Sequence, residues 1–314
     1  MYKNRLILDL VDEYLGNQDI RDNSRKKYAD ALRYFITHLV KNGVDPGDIK
    51  RKDIIEYKKH LIATNKALMT VDNYLVPIRQ FFKYLEEGGI HDNIAAGIHS
   101  PRKYLGYRKD YLKPEQVHKL LSSIDRSTLV GKRDYAIINL MVRTGMRCIE
   151  VERANAKDLK IENGKWFIYI QRKGHYAKDS VLGITEKVMA PIADYFKERD
   201  LIEQPSPLFL NHAHSSNNTR ITTLTISKII KRHLREIGID SPKITAHSLR
   251  HTAAITALNN SASLFEVQQM LGHRSSDTTQ IYLRAIEEEK SREGTAVRLL
   301  DDAFDISNKK GQKQ

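Results

Sequence analysis

The sequence contains a single cysteine, Cys148, and a single tryptophan in 314 residues. One thiol forms no intramolecular disulfide and no cysteine-based zinc cage, so a reducing, cytoplasmic setting is expected. No run approaches the roughly 18 apolar residues needed to span a bilayer. The opening MYKNRLILDLVDEYL carries acids at helical spacing instead of a signal peptide's apolar core, and no membrane partner is expected. No repeat recurs at solenoid-like periods. Acidic side chains are in deficit: 39 Asp and Glu stand against 52 Lys and Arg, a formal net charge of +13. A chain this basic is drawn to polyanions, nucleic acid foremost. The excess is uneven, because residues 101–200 hold 21 Lys or Arg against 13 Asp or Glu.

Apolar periodicity divides the chain. Residues 1–98 read as an all-helical domain of at least four short helices with no strand. In SRKKYADALRYFITHLVKNG, Tyr28, Leu32, Phe35 and Leu39 recur at three- or four-residue steps, with a cap expected at Asn23 or Ser24 and a stop at Gly43. DIIEYKKHLIAT and TVDNYLVPIRQFFKYLEEGG repeat the pattern. Thr70 is the expected cap of the latter, and Pro77 is expected to kink it or mark its start. Residues 99–112, rich in Arg, Lys, Tyr, Gly and Pro, read as a basic linker. Residues 113–300 form a second, mainly α domain with a small β-sheet or hairpin at WFIYIQRKGHYAKDSVLGI and a C-terminal helix. Residues 301–314 are expected to be disordered.

Four motifs in the second domain carry chemistry. TGMRCIE places Arg147 at a glycine turn, RKGHYAK places Lys173 in the hairpin, HSLRH sets His247 and Arg250 on one helical face, and LGHRSSDTTQIY supplies His273 and Tyr282. HSLRH could also be read as a two-histidine zinc pair formed by His247 and His251. A zincin helix needs Glu after the first histidine, where this chain has Ser248, and a third ligand would have to come from His273 or the NHAH stretch at 211–214. The phosphate reading uses the whole set. Two guanidiniums offer paired donors to phosphate oxygens and stabilise the extra charge of five-coordinate phosphorus without a metal. A tyrosine hydroxyl, only about 0.1% ionised at neutral pH, becomes a nucleophile given a positive surround or a base. Histidines supply the base and further hydrogen bonds, and a mobile lysine can protonate a departing sugar hydroxyl.

In their order along the chain, TGMRCIE, RKG, HSLRH, LGH and the tyrosine nine residues after that histidine resemble the tyrosine recombinase, or phage integrase, family, closest to its compact two-domain Xer-like members. PLFLN matches a further landmark, and SRKKYADALRYF with NYLVPIRQFFKYLEEGGIHDNIA resembles the family's helical core-binding domain. The resemblance implies an all-helical, SAM-like core-binding domain followed by an α+β catalytic domain. It implies that Arg147 and Arg250 clamp the scissile phosphate, Lys173 is the general acid for the 5′ oxygen, His247 assists proton transfer, His273 bonds a phosphate oxygen, and Tyr282 forms a 3′-phosphotyrosyl link. Glu150 is expected to orient Arg147, and the resemblance implies that His251 is a packing or supporting residue beside the arginine and not a metal ligand. No metal or other cofactor is implied. The implied partners are double-stranded DNA with a short inverted-repeat core site and four copies of the chain on two duplexes, exchanging strands through a Holliday junction. No arm-binding domain precedes the helical region in this sequence, so a short-site enzyme for dimer resolution, or for integration and excision of a mobile element, is expected. Two departures stand out: Ile149 replaces a small residue, and Arg172 stands where Gly commonly precedes the lysine, with Lys178 also in the hairpin. Relaxation of DNA by the same nick-and-reseal chemistry, as in a type IB topoisomerase, and a catalytically silent DNA-binding regulator are the rival readings.

Overall fold

The computed structural model describes residues 7–101, 110–199, 206–212, 219–273, 275, 277–292 and 294–304. These fall into two compact units that divide between positions 105 and 106.

The first unit contains α1 (Ile7–Gly16), α2 (Asp22–Lys41), α3 (Arg51–Ala63) and α4 (Leu68–Glu87). Their apolar stripes close on one core that includes Tyr14, Leu32, Phe35, Tyr57, Leu75 and Phe82. Two of the helices are longer than expected, α2 and α4 having 20 residues each. α2 opens after Arg21, ahead of the expected cap, and α4 opens after Ala67, leaving Thr70 inside its first turn. Pro77 neither starts nor ends α4. An interior proline costs about 3 kcal/mol. Each fully buried large apolar side chain contributes about 1.5–3 kcal/mol. Leu75, Ile78, Phe81 and Phe82 are all buried on that helix, so continuing through the proline is the favourable outcome. On α4, Arg79 donates to the Ile98 carbonyl (3.1 Å) and pairs with the buried Asp72 (3.2 Å), which also accepts from Ser100. The chain leaving this unit is thereby held against α4.

The second unit runs α5 (Pro114–Ser122), α6 (Leu129–Thr144), α7 (Cys148–Arg153), a 3₁₀ turn, β1 (Leu159–Glu162), β2 (Lys165–Ile170), β3 (Ser180–Ile184) and α8 (Glu186–Glu198). It continues with α9 (Thr223–Glu236), α10 (Ala246–Asn259), α11 (Leu264–Leu271), α12 (Asp277–Arg292) and α13 (Thr295–Phe304). The expected hairpin is β2–β3, but β1 adds a third antiparallel strand, with Leu159 and Leu182 both opposite Ile168. The β1–β2 turn is Asn163-Gly164, both at positive φ, the chemistry of a tight hairpin. α10 is the hub: Ala246 and the run from Ser248 to Ile255 are buried, and it packs on α6, α9, α11 and α12. Such all-round burial is why it shows little amphipathic pattern.

Two boundaries differ from the sequence reading. Leu112, assigned to the linker, is buried and donates its N–H to the Thr252 hydroxyl on α10 (2.9 Å), so it belongs to the second unit's core. The tail expected from 301 is helical through Phe304, because TAVRLLDDAF repeats its apolar residues at helical spacing. The linker at 102–109 and the tail at 305–314 lie outside the described residues. Among the described residues, no helix is long and apolar enough to cross a membrane.

Candidate active site

The site is built where three helix ends meet in the second unit. α6 stops at Gly145, whose left-handed φ of 66° turns the chain so that Arg147 opens α7. A Cβ at Gly145 would lie 2.6 Å from the Leu271 side chain, so the approach of α11 also demands glycine. Arg250, 1% exposed in the middle of α10, donates to the Gly145 carbonyl (2.8 Å) and to the Leu271 carbonyl at the end of α11 (2.7 Å). Its guanidinium therefore ties both helix ends to the hub. Burial, with Arg147 close by, pulls the Arg250 pKa down to about 10, which still leaves it charged at neutral pH.

Glu150 is fully buried and serves the arginines. It accepts from the Arg147 backbone N–H and from Arg147 Nη1, both at 2.9 Å, and faces Arg172 Nη1 at 3.5 Å. The Arg147 side chain remains 24% exposed even with its guanidinium held by Glu150. Arg147, Lys173, His247 and Arg250 line one cleft of about 610 Å³. The hairpin lysines separate clearly. Lys178 is engaged in an ion pair with the buried Asp158, whereas Lys173 is exposed in the turn and has no ion-pair or hydrogen-bond partner among the described residues.

His273 follows Gly272, which ends α11 in the left-handed region (φ 63°). Its Nδ1 lies 2.8 Å from the hydroxyl of Thr279, a fully buried residue on α12. Burial, reinforced by Arg250, Arg147 and Arg172, pushes the His273 pKa down to about 4, so the ring is neutral near pH 7. When the Thr279 hydroxyl donates to Nδ1, the ring proton sits on Nε2, the tautomer that can donate to an anion. Tyr282, one turn along α12 from Thr279, is 3% exposed. Its ring stacks near that of His273 (centroids 6.2 Å, 10° between planes) and packs at 5.4 Å on His251, which meets His247 edge-on at 4.6 Å. Burial raises the Tyr282 pKa, while Arg250 and Arg147 pull against that rise. Among the described residues, no group of three or more His, Cys, Asp or Glu is placed to hold a metal.

The structure thus brings all six candidate residues into one neighbourhood, with Glu150 and His251 behind them. Two further residues belong to it. Thr279 was not singled out, although its place three residues before Tyr282 puts it on the same helical face. Arg172 was visible only as a departure from a motif.

Residues 110–289 match the phage integrase family, and residues 7–92 match the phage integrase N-terminal SAM-like domain. The chain belongs to the phage integrase family. Tyrosine recombinase XerD of Listeria monocytogenes serotype 4b (strain F2365) is 33% identical over 288 residues, covering 89% of this chain and 93% of the relative. Tyrosine recombinase XerA of Pyrococcus furiosus (strain ATCC 43587 / DSM 3638 / JCM 8422 / Vc1) is 26% identical over 278 residues, covering 88% and 89%. The fold is shared with solved structures. The XerH site-specific recombinase in its post-cleavage complex with palindromic difH substrate aligns with a TM-score of 0.71 at 24% identity, over 88% of this chain and 80% of that one. The Tn1549 transposon integrase in complex with transposon right end DNA aligns with a TM-score of 0.71 at 18% identity, over 92% and 99%. The chain is a tyrosine-type site-specific recombinase.

Proposed function

We propose that this recombinase cuts and rejoins double-stranded DNA through a 3′-phosphotyrosyl intermediate on Tyr282. Arg147 and Arg250 hold the two non-bridging oxygens of the scissile phosphate, and His273 donates a third hydrogen bond from Nε2. His247 takes the phenolic proton as Tyr282 Oη bonds to phosphorus. The bond from phosphorus to the 5′ oxygen then breaks, and Lys173 protonates the leaving alkoxide. Glu150 orients Arg147, and His251 supports His247 and the tyrosine ring. The observation that carries the reading is the convergence of Arg250, His273 and Tyr282 from three different elements, with Arg147 beside them. The phosphotyrosyl link conserves the energy of the broken bond, so rejoining requires neither ATP nor a metal.

In this reading a 5′-hydroxyl from a second duplex attacks the link, giving a Holliday junction within four copies of the chain on two short inverted-repeat sites. The solved complexes of XerH with difH and of the Tn1549 integrase with transposon end DNA support a DNA partner. Exposed Val297, Leu299, Leu300 and Phe304 on α13 support docking between copies. The first unit and its basic continuation bind the core site, and the second unit carries the chemistry. Dimer resolution, or integration and excision of a mobile element, in the cytoplasm is the outcome.

Covalent capture tests this. The full chain is incubated with fragmented DNA from its own source in excess EDTA, stopped with detergent, and the protein-linked DNA is sequenced. Adducts at one short inverted repeat, lost in Tyr282→Phe while DNA binding persists, are expected. Binding without adducts, even on nicked duplexes that trap them, would leave a DNA-binding regulator; on supercoiled circles carrying two copies of the captured site, relaxation without recombinants would leave a topoisomerase.

A further inference from the structure

Arg172 departs from the motif that surrounds it, and its contacts give it a task. It is 4% exposed, although it sits at the base of the hairpin turn that carries the exposed Lys173. Its Nη2 donates to the Met270 carbonyl (2.9 Å) and its Nη1 to the Leu271 carbonyl (3.1 Å). The same Nη1 faces the buried Glu150 carboxylate at 3.5 Å. One side chain therefore joins the hairpin to the end of α11, where His273 follows, and to the carboxylate that roots Arg147. The Leu271 carbonyl also accepts from Arg250, so both guanidiniums grip the same peptide group. Gly272 is fitted around this anchor, since a Cβ there would lie 2.6 Å from Arg172 Nε.

Side chains also bond across the turn itself. Gln171 Nε2 donates to the carbonyls of His175 (2.9 Å) and Tyr176 (3.2 Å), and His175 pairs with Asp179 at 2.7 Å. These bonds shape the turn, and Lys178 ties its far end to the buried Asp158. Lys173 has no ion-pair or hydrogen-bond partner of its own among the described residues and directly follows Arg172.

We propose that Arg172 is a positioning residue that holds the Lys173 ammonium over the scissile 5′ oxygen by anchoring the hairpin to α11 and Glu150. The inference rests on Lys173 acting as general acid. It makes a demand that a role in folding or in phosphate binding does not. When Arg172 is lost, the step that suffers is proton delivery to the departing oxygen, and formation of the bond from Tyr282 to phosphorus is spared.

A bridging sulfur isolates that step. An alkoxide leaving group is strongly basic and needs a proton as its bond to phosphorus breaks. A thiolate, whose conjugate acid resembles a cysteine with pKa about 8.5, leaves with its electron pair unprotonated. Cleavage by the full chain is followed on nicked duplexes carrying its captured site, with oxygen or sulfur at the 5′ bridging position. Wild type, Lys173→Ala, Arg172→Met and Arg172→Lys are compared. A misplacement of about 1 Å can cost about 100-fold in rate. Arg172→Met is therefore expected to cut the oxygen substrate about 100-fold more slowly and the sulfur substrate within a fewfold of wild type, with Arg172→Lys intermediate. Lys173→Ala should show the same rescue. If sulfur rescues Lys173→Ala but not Arg172→Met, the positioning role is overturned and Arg172 serves the fold or the phosphate. If sulfur rescues neither, Lys173 is not the acid and both readings fall.

Discussion

Glu150 shows how much of the site rests on one carboxylate. It is fully buried and neutralises part of the charge of Arg147 and Arg172. Removing one partner of a buried ion pair leaves the other uncompensated, at a cost of about 3–5 kcal/mol. Glu150→Ala is therefore expected to lower stability by about 3–5 kcal/mol, measured by urea denaturation, with Glu150→Gln losing less because it keeps an acceptor. A midpoint unchanged in Glu150→Ala would show that the arginines find other partners. His273 makes a different prediction. Its folded pKa of about 4 lies below the ordinary value of 6.5, so the unfolded chain binds the proton more readily. Its contribution is fully present above pH 6.5 and is lost as pH falls toward about 4. His273→Asn should flatten that part of the acid limb in a pH series of denaturation midpoints, and identical slopes would refute it.

Among the elements, the end of α6 is the most constrained. Gly145 combines a left-handed backbone with a side-chain-free approach to Leu271, and its carbonyl receives Arg250. Gly145→Ala should cost about 1–3 kcal/mol from backbone strain alone. It should also slow covalent adduct formation, because the carbonyl that holds Arg250 moves; wild-type stability and rate together would remove this account. The helices were legible in the sequence wherever one face is buried, as in α2, where Leu32, Phe35 and Leu39 mark the core side. β1 was not, because LKIE places Ile161 in solvent and keeps only Leu159 partly covered. Its existence rests on the Asn163-Gly164 turn and on pairing with β2, neither of which appears as an apolar pattern. α7 has only six residues, too few to show a period. The six candidate site residues were legible from motif order. Arg172 was not, because one of its acceptors lies 99 positions away and no local pattern encodes that contact.

At the scale of the whole molecule, α13 stands apart from the rest. Val297, Leu299, Leu300 and Phe304 are all more than half exposed, more apolar surface than a ten-residue helix leaves bare without a use. Deleting residues 295–314 should leave adduct formation on a single nicked site intact and abolish two-site recombination, measured side by side. Full recombination by the truncated chain would show that α13 has no part in joining copies. The arginine cluster carries a last consequence for the molecule as a machine. Glu150 pairs with both Arg147 and Arg172, and Arg250 lies close by, so the cluster holds more positive charge than its one carboxylate offsets. In the proposed reaction a bound phosphodiester offsets part of that excess, and five-coordinate phosphorus, carrying a second negative charge, offsets more. On that reading the attraction is strongest at the summit of the reaction and weaker on either side of it. The cluster is then best matched to a species that exists only in passing.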